Sequence, residues 1–291
     1  MTFKFNAKTA RGMPCVIKLQ IYMGGVGKIV PRCRLAGRFW GRWRMKHVKI
    51  TAFDCPDAWF QALSHIWNEG DDFQVGYGSE VTETKKLNLT LEITHPETRP
   101  LVSDKAPCDI RYVQGYALEY LWCGEKQDEE TYTYGSRLNH PVNQIEEAVK
   151  RYAQEQRDRQ VTMVIRLPED IKKSLHAKRH EPPCLSLIDT EILEGKMHLT
   201  CYFRSWDAYA GLPANIAGLQ LFNEAFVKDI NSRGNLSLET GKLIFHSKNC
   251  HIYKRQNKLV EELLKPKSNA GSVPRMATTR KGSQKERSAT E

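Results

Sequence analysis

Cys184 follows two prolines in the run RHEPPCL (179–185). Proline fixes its own φ and restricts the residue before it, so the chain reaches this thiol with little freedom. A cysteine held rigidly at a strand start, with arginines at hand, is a candidate nucleophile, because nearby cations favour the reactive thiolate. Taken alone, the pattern also fits a buried structural cysteine. The run YFRSWDAYAGLPANIAG (202–218) adds Arg204 and Ser205, a guanidinium and a hydroxyl that can hold a phosphate. A strand would turn Asp207 to the same face as Ser205. Gly211-Leu212-Pro213 reads as a turn that delivers Asn215 at a helix start, and NCHIY (249–253) places His251 and Tyr253 on one strand face. Each piece has a plainer reading: a surface Arg, a capping Asn, a core Tyr. Their joint order is the stronger signal.

The elements that must position these residues are legible from periodicity. HVKITAF (47–53) and the alternating LNLTLEI (87–93) predict strands, and AWFQALSHIW (58–67) predicts a helix capped within Asp54–Asp57. RYVQGYALEYLWC (111–123) and QIEEAVKRYAQEQ (144–156) predict helices, the first with Tyr112, Tyr116 and Trp122 near one face. VTMVIRL (161–167) predicts a strand, with a short helix opening at 169–170. CLSLIDTEIL (184–193), an EGK turn and MHLTCYFRS (197–205) predict a strand–turn–strand unit. A long apolar helix (216–230), a strand (242–253) and a closing helix (258–264) complete the order. Strands and helices intermix without a regular βαβ period, which favours an α/β domain with a mixed sheet and flanking helices.

Charge divides the chain of 291 residues. Residues 1–50 contain six Lys, six Arg and no acid, and residues 266–291 carry +4, leaving 51–265 at −6 within a total of +10. A mildly acidic core is a poor polyanion binder, so no nucleic-acid partner is expected for it. Residues 1–44 predict a basic, disordered extension, with RFWGRWR (38–44) also fitting a nucleic-acid or membrane-surface arm or part of a transit segment. Residues 266–291 predict a disordered basic tail. No window approaches the roughly 20 apolar residues of a membrane span. Eight cysteines (15, 33, 55, 108, 123, 184, 201 and 250) lack zinc-ligand spacing, so no metal is expected. They read as reduced thiols of a cytoplasmic protein.

The order PPC, then RSxDxxxGLPxNI, then HIY resembles the thymidylate synthase family, whose strings are PC followed by His, QRSxDxxLGLPFNIA and DxHxY. Glu119-Tyr120-Leu121-Trp122 is similar to the family's ELLW, and Thr133-Tyr134-Gly135 to its VYG. The pattern looks most like the short archaeal members and covers 45–265 as one catalytic domain. Leu185 stands where the family has His, Phe203 where it has Gln, and Arg159-Gln160 where it has an arginine pair. The family's N-terminal phosphate arginine has no evident counterpart, and GYGSEVTETKK (76–86) is the loop to search. The family's hydrophobic closing tail is replaced by the basic one.

The resemblance implies a fold of that type and the reductive methylation of dUMP to dTMP, with methylenetetrahydrofolate or an archaeal folate analogue as co-substrate. Cys184 would add to ring carbon 6, making carbon 5 nucleophilic. Glu119 and Tyr134 would manage protons. Arg204, Ser205 and Arg159 would hold the phosphate, Arg159 reaching from the second subunit of a homodimer. His251 and Tyr253 would bind the sugar 3′-hydroxyl, and Asp207 the pterin. Asn215, offering a donor and an acceptor, would select uracil over cytosine. A nucleotide hydroxymethylase acting on dUMP or dCMP is the alternative on the same residues.

Overall fold

The computed structural model describes residues 2–8, 14–20, 45–77, 80–128, 130–176 and 182–265. The chain divides into two compact units, 1–43 and 44–291. In the first, strands β1 (Thr2–Lys8) and β2 (Pro14–Gln20) pair antiparallel, Thr2 opposite Gln20. The basic run 38–44, residues 177–181 beside the proline pair and the tail 266–291 lie outside the described residues.

The second unit begins with β3 (His47–Ala52), α1 (Cys55–Glu69), β4 (Asp71–Tyr77) and β5 (Glu80–Ile93). Helix α2 (Ile110–Gly115) runs into a π-helical segment (Tyr116–Trp122), followed by α3 (Tyr134–Asn139), α4 (Gln144–Gln154), β6 (Thr162–Val164) and α5 (Glu169–His176). Then come β7 (Leu185–Leu193), β8 (Lys196–Phe203), the two-residue β9 (Trp206–Asp207), α6 (Gly211–Gly234), β10 (Glu239–Tyr253) and α7 (Asn257–Leu264). The eight strands β3–β10 form one mixed sheet in the order β3-β5-β10-β8-β7-β6, with β4 added to β5 and β9 to β10. β3–β5 and β8–β10 are parallel; β5–β10, β7–β8 and β6–β7 are antiparallel. The mixed α/β architecture expected from the sequence is the one observed.

Local chemistry explains the elements. Asp54 caps α1 by accepting from the Asp57 N–H at 2.9 Å, a contact worth about 1 kcal/mol. Glu194 and Gly195, at φ 52° and 74°, make the tight turn between β7 and β8. Alternation decides the sheet's two faces. On β5, Leu87, Leu89, Leu91 and Ile93 are buried, while Asn88, Thr90 and Glu92 lie on the other face and remain partly exposed. β8 buries Met197, Leu199, Cys201 and Phe203 in the same way. Helix α6 covers this inner face with Leu219, Phe222, Phe226 and Ile230, packing also against α1, α2, α4 and the π-helical segment. On the opposite face lie Glu92 of β5, His198 of β8 and Lys242 of β10. The concavity they help to line, ≈ 770 Å³, shares no residue with the predicted site.

Three expectations change. The stretch 76–86 is mainly strand: Val81, Thr82 and Thr84 are β-branched and extend β5 into a ladder with β4. The predicted single helix over 111–123 is an α-helix followed by a π-helix, closed by the Cys123 N–H donating to the Leu118 carbonyl at 2.9 Å. Gly211-Leu212-Pro213 is the first turn of α6 rather than a turn before it, because proline is tolerated where no intrahelical N–H is needed. Asn215 therefore sits in the second turn.

Candidate active site

Cys184 immediately precedes β7 and is half-buried. Its carbonyl accepts the Arg204 N–H at 2.9 Å, joining the strand start to the end of β8. The Arg204 side chain donates from Nε to the Pro183 carbonyl at 3.0 Å and from Nη2 to the Pro182 carbonyl at 2.6 Å. The proline pair is thus held by backbone rigidity and by a guanidinium fork. Three other cysteines differ, while Cys108 and Cys123 are half-buried like Cys184. Cys55, Cys201 and Cys250 are buried, and burial pushes their thiols up, far from the reactive thiolate.

Tyrosines surround this point. The Leu185 N–H, next to Cys184, donates to the buried Tyr134 hydroxyl at 3.3 Å. Desolvation first, then the charges of Tyr116 and Cys184, push the Tyr134 phenol well above its ordinary value, so it stays protonated. Tyr120 packs edge-on to Tyr134 at 5.0 Å. Burial, then Glu130 and Cys184, push its phenol up to about 12. Tyr134 is placed by α3, whose N-cap Thr133 accepts the Ser136 N–H at 2.9 Å. A Cβ on the next residue, Gly135, would come within 1.9 Å of the Cys123 carbonyl oxygen, so only glycine fits there.

Glu119 projects from the π-helical segment and is exposed. Together with Tyr116, Tyr120, Lys126 and Glu130 it lines a cleft of ≈ 500 Å³. A second groove of ≈ 940 Å³, lined by Val102, Cys108, Ile110 and Ala210, adjoins it through Tyr112, which lines both. Ala210, at the N-terminus of α6, belongs to the second groove alone.

Asn215 is engaged at both ends of its amide. Oδ1 accepts the Trp206 indole N–H at 2.9 Å, and Nδ2 donates to the Tyr116 hydroxyl at 2.9 Å. Tyr116 packs close against α6; a Cβ on Gly218 would lie 2.5 Å from its ring. Trp206 is stacked on Phe203, ring centres 4.3 Å apart and 5° from parallel. The Phe that replaces the expected Gln is therefore the buried floor under an indole.

Ser205 accepts from Asn249 Nδ2 at 3.2 Å. Asn249 lies within the β10 irregularity between Ser247 and Cys250, which breaks the strand's alternation and shifts its pairing to β9. Asp207 is a local anchor: Oδ1 accepts the Tyr209 and Ala210 N–H groups at 3.0 and 3.1 Å, and Gln256 Nε2 donates to Oδ2 at 3.0 Å. His251 is buried, with Nδ1 3.2 Å from the Asn249 carbonyl, and burial lowers its pKa from the ordinary 6.5. Its ring meets Tyr253 edge-on at 4.7 Å, as expected of one strand face, and Arg255 lies over the Tyr253 ring at 4.1 Å.

The fold thus brings Cys184, Tyr134 and Arg204 into one hydrogen-bonded group, Asn215 into a second with Trp206 and Tyr116, and Asp207, His251 and Tyr253 along paired β9 and β10. Glu119 joins through the tyrosine cleft. Arg159 does not join within this chain: it is exposed on the loop between α4 and β6. Trp206, Tyr116, Tyr120 and Asn249 were missed as site residues. Trp206 stands inside the RSWD run and Tyr116 one helical turn before Tyr120, yet neither residue type announces a hydrogen-bond partner.

The family model for thymidylate synthase matches residues 45–290. A Methanosarcina acetivorans protein named "Putative thymidylate synthase" is 32% identical over 219 residues, covering 74% of this chain and 94% of its own. Proteins of the same name from Methanosarcina mazei and Methanothermobacter marburgensis are 31% and 26% identical, over 74% and 75% of this chain and 94% and 98% of theirs. The chain belongs to the thymidylate synthase family.

Proposed function

We propose that this protein converts dUMP to dTMP through a covalent adduct of Cys184 with ring carbon 6. The observation that carries the reading is the half-buried Cys184, held between the Arg204 clasp on its proline pair and the Tyr134 hydroxyl on the following N–H. Addition of the thiolate to carbon 6 forms a C–S bond and shifts the ring electrons to carbon 5, which can then form a bond to an electrophilic carbon. Loss of the carbon 5 proton and elimination of the thiolate restore the ring. Methylenetetrahydrofolate, or an archaeal analogue, supplies the one-carbon unit and the hydride that reduces it to methyl.

The chain's own residues bind, orient and move protons. Arg204 keeps N–H groups beyond those on the prolines, and with Ser205 they suit the 5′-phosphate. Positioning of this kind can supply several kcal/mol of a barrier. Tyr134, protonated by burial, relays the carbon 5 proton to water through its hydroxyl, and Glu119 serves carbonyl 4 from the cleft. Asn215 contacts the uracil edge, and His251 and Tyr253 take the sugar hydroxyl. The groove beside Tyr112 and Ala210 suits a flat co-substrate with its pterin near Asp207, although the Asp207 carboxylate already accepts from the protein. Arg159, exposed, is available to a second subunit, and the sheet face opposite α6 is the surface on which a homodimer would form. Among the described residues no helix is long and apolar enough to cross a membrane, and a cytoplasmic site of action is part of the proposal. So is catalysis by residues 45–265 without the arm and tail.

The test is product analysis. The full chain, incubated with dUMP and methylenetetrahydrofolate, should give a nucleotide whose mass is that of dTMP. A product heavier by one oxygen would assign the hydroxymethylase, and conversion of dCMP alone would overturn the uracil reading.

A further inference from the structure

We infer that Trp206 is a specificity-determining positioning residue: its indole N–H fixes which way the Asn215 amide faces, and so fixes which pyrimidine that amide can read. The inference rests on the reading of Asn215 as the base-contacting residue and adds the group that orients it.

A carboxamide is nearly symmetric in shape and opposite in chemistry at its two ends. With Oδ1 and Nδ2 in one order it meets a uracil edge, pairing with the ring N–H and carbonyl 4. Turned by half a rotation, the same amide meets a cytosine edge, whose ring nitrogen accepts and whose amino group donates. Asn by itself does not exclude cytosine; Asn in one fixed orientation does.

Of the two neighbours of Asn215, only one can fix that orientation. The Tyr116 hydroxyl both donates and accepts, so it would satisfy either end of the amide. The indole of Trp206 only donates, so Oδ1 must face it, 2.9 Å away. The indole cannot turn aside. Trp206 is 2% exposed, stacked on Phe203 at 4.3 Å, packed on Phe245 at 5.2 Å, and its backbone pairs with Cys250 of β10. A flipped amide would set two donors against each other and leave a buried indole N–H without a partner, which disfavours that state by about tenfold or more. With one lone pair and one N–H engaged, Oδ1 and Nδ2 each keep one more position for the base, and Asn215 is only partly buried.

The test compares dUMP and dCMP affinities by calorimetry on the full chain, for the wild type, Trp206→Phe, Tyr116→Phe and Asn215→Asp. Trp206→Phe keeps a flat ring on Phe203 and deletes the N–H. It should lower the preference for dUMP over dCMP by about tenfold, while Tyr116→Phe, which leaves the indole in place, should keep the wild-type ratio. A folded Trp206→Phe protein with the wild-type ratio overturns the inference, as does an equal loss of ratio in Tyr116→Phe. If Trp206→Phe does not fold, benzothienylalanine at position 206 alone, which keeps the bicyclic shape without N–H, answers the same question. Asn215→Asp separates the two layers. If its ratio also stays at the wild-type value, the base-contact reading fails; if it shifts while the indole variants do not, only the orienting role fails.

Discussion

Arg204 reaches back to the proline pair before Cys184, its Nε on the Pro183 carbonyl at 3.0 Å and its Nη2 on that of Pro182 at 2.6 Å. The cation proposed for the substrate phosphate therefore also holds the loop of the proposed nucleophile. Lysine keeps the charge and loses the fork. Arg204→Lys should lower kcat/KM by about 10²-fold, with a fall in kcat as well as a rise in KM. It should also change the rate at which iodoacetamide alkylates Cys184. A rise in KM with kcat and alkylation rate unchanged would leave Arg204 with phosphate binding alone.

Tyr134 tests the proton path. Tyr134→Phe removes the acceptor of the Leu185 N–H and should cost about 1–2 kcal/mol of stability by denaturant titration. If the hydroxyl handles the carbon 5 proton, kcat should fall by about 10²–10⁴ with nucleotide affinity little changed. Because burial holds the phenol well above 10, the wild-type rate should show no inflection near that pH from this group.

His251 gives a pH signature. Its folded pKa lies below 6.5, chiefly through burial, with Asp207 acting the other way and Arg255 and Lys86 reinforcing the shift. Below 6.5 the unfolded chain binds a proton that the folded chain refuses, so stability falls as pH drops and levels off beneath the folded pKa. His251→Gln should flatten this part of the Tm-versus-pH curve between 6.5 and that lower value. An unchanged slope in the variant would show that other groups carry it.

The order Cys184, Arg204, Asn215, His251 was legible because each side chain advertises its chemistry and prolines and glycines punctuate the run. The sheet was legible where alternation is clean, as in β5 and β8. What escaped depends on partners distant in sequence. Nothing in residues 116–122 marks the π-helical winding, and the close approach of Tyr116 to Gly218 joins residues about a hundred apart in sequence. Phe203 read as a departure and proved to be the floor beneath Trp206. Asn215 read as a helix start because Pro213 suggested a turn, whereas the helix tolerates that proline in its first turn. Asp207 read as a ligand group, and its carboxylate is already turned to Tyr209, Ala210 and Gln256.

The central claim is that the sulfur of Cys184 bonds to a pyrimidine ring, and the most direct measurement is peptide mass mapping after incubation of the full chain with 5-fluoro-dUMP and methylenetetrahydrofolate. The account predicts a stable nucleotide adduct on the peptide containing Cys184, absent in Cys184→Ala. An adduct on Cys108 or Cys123, or one that persists in the Cys184→Ala protein, would contradict it.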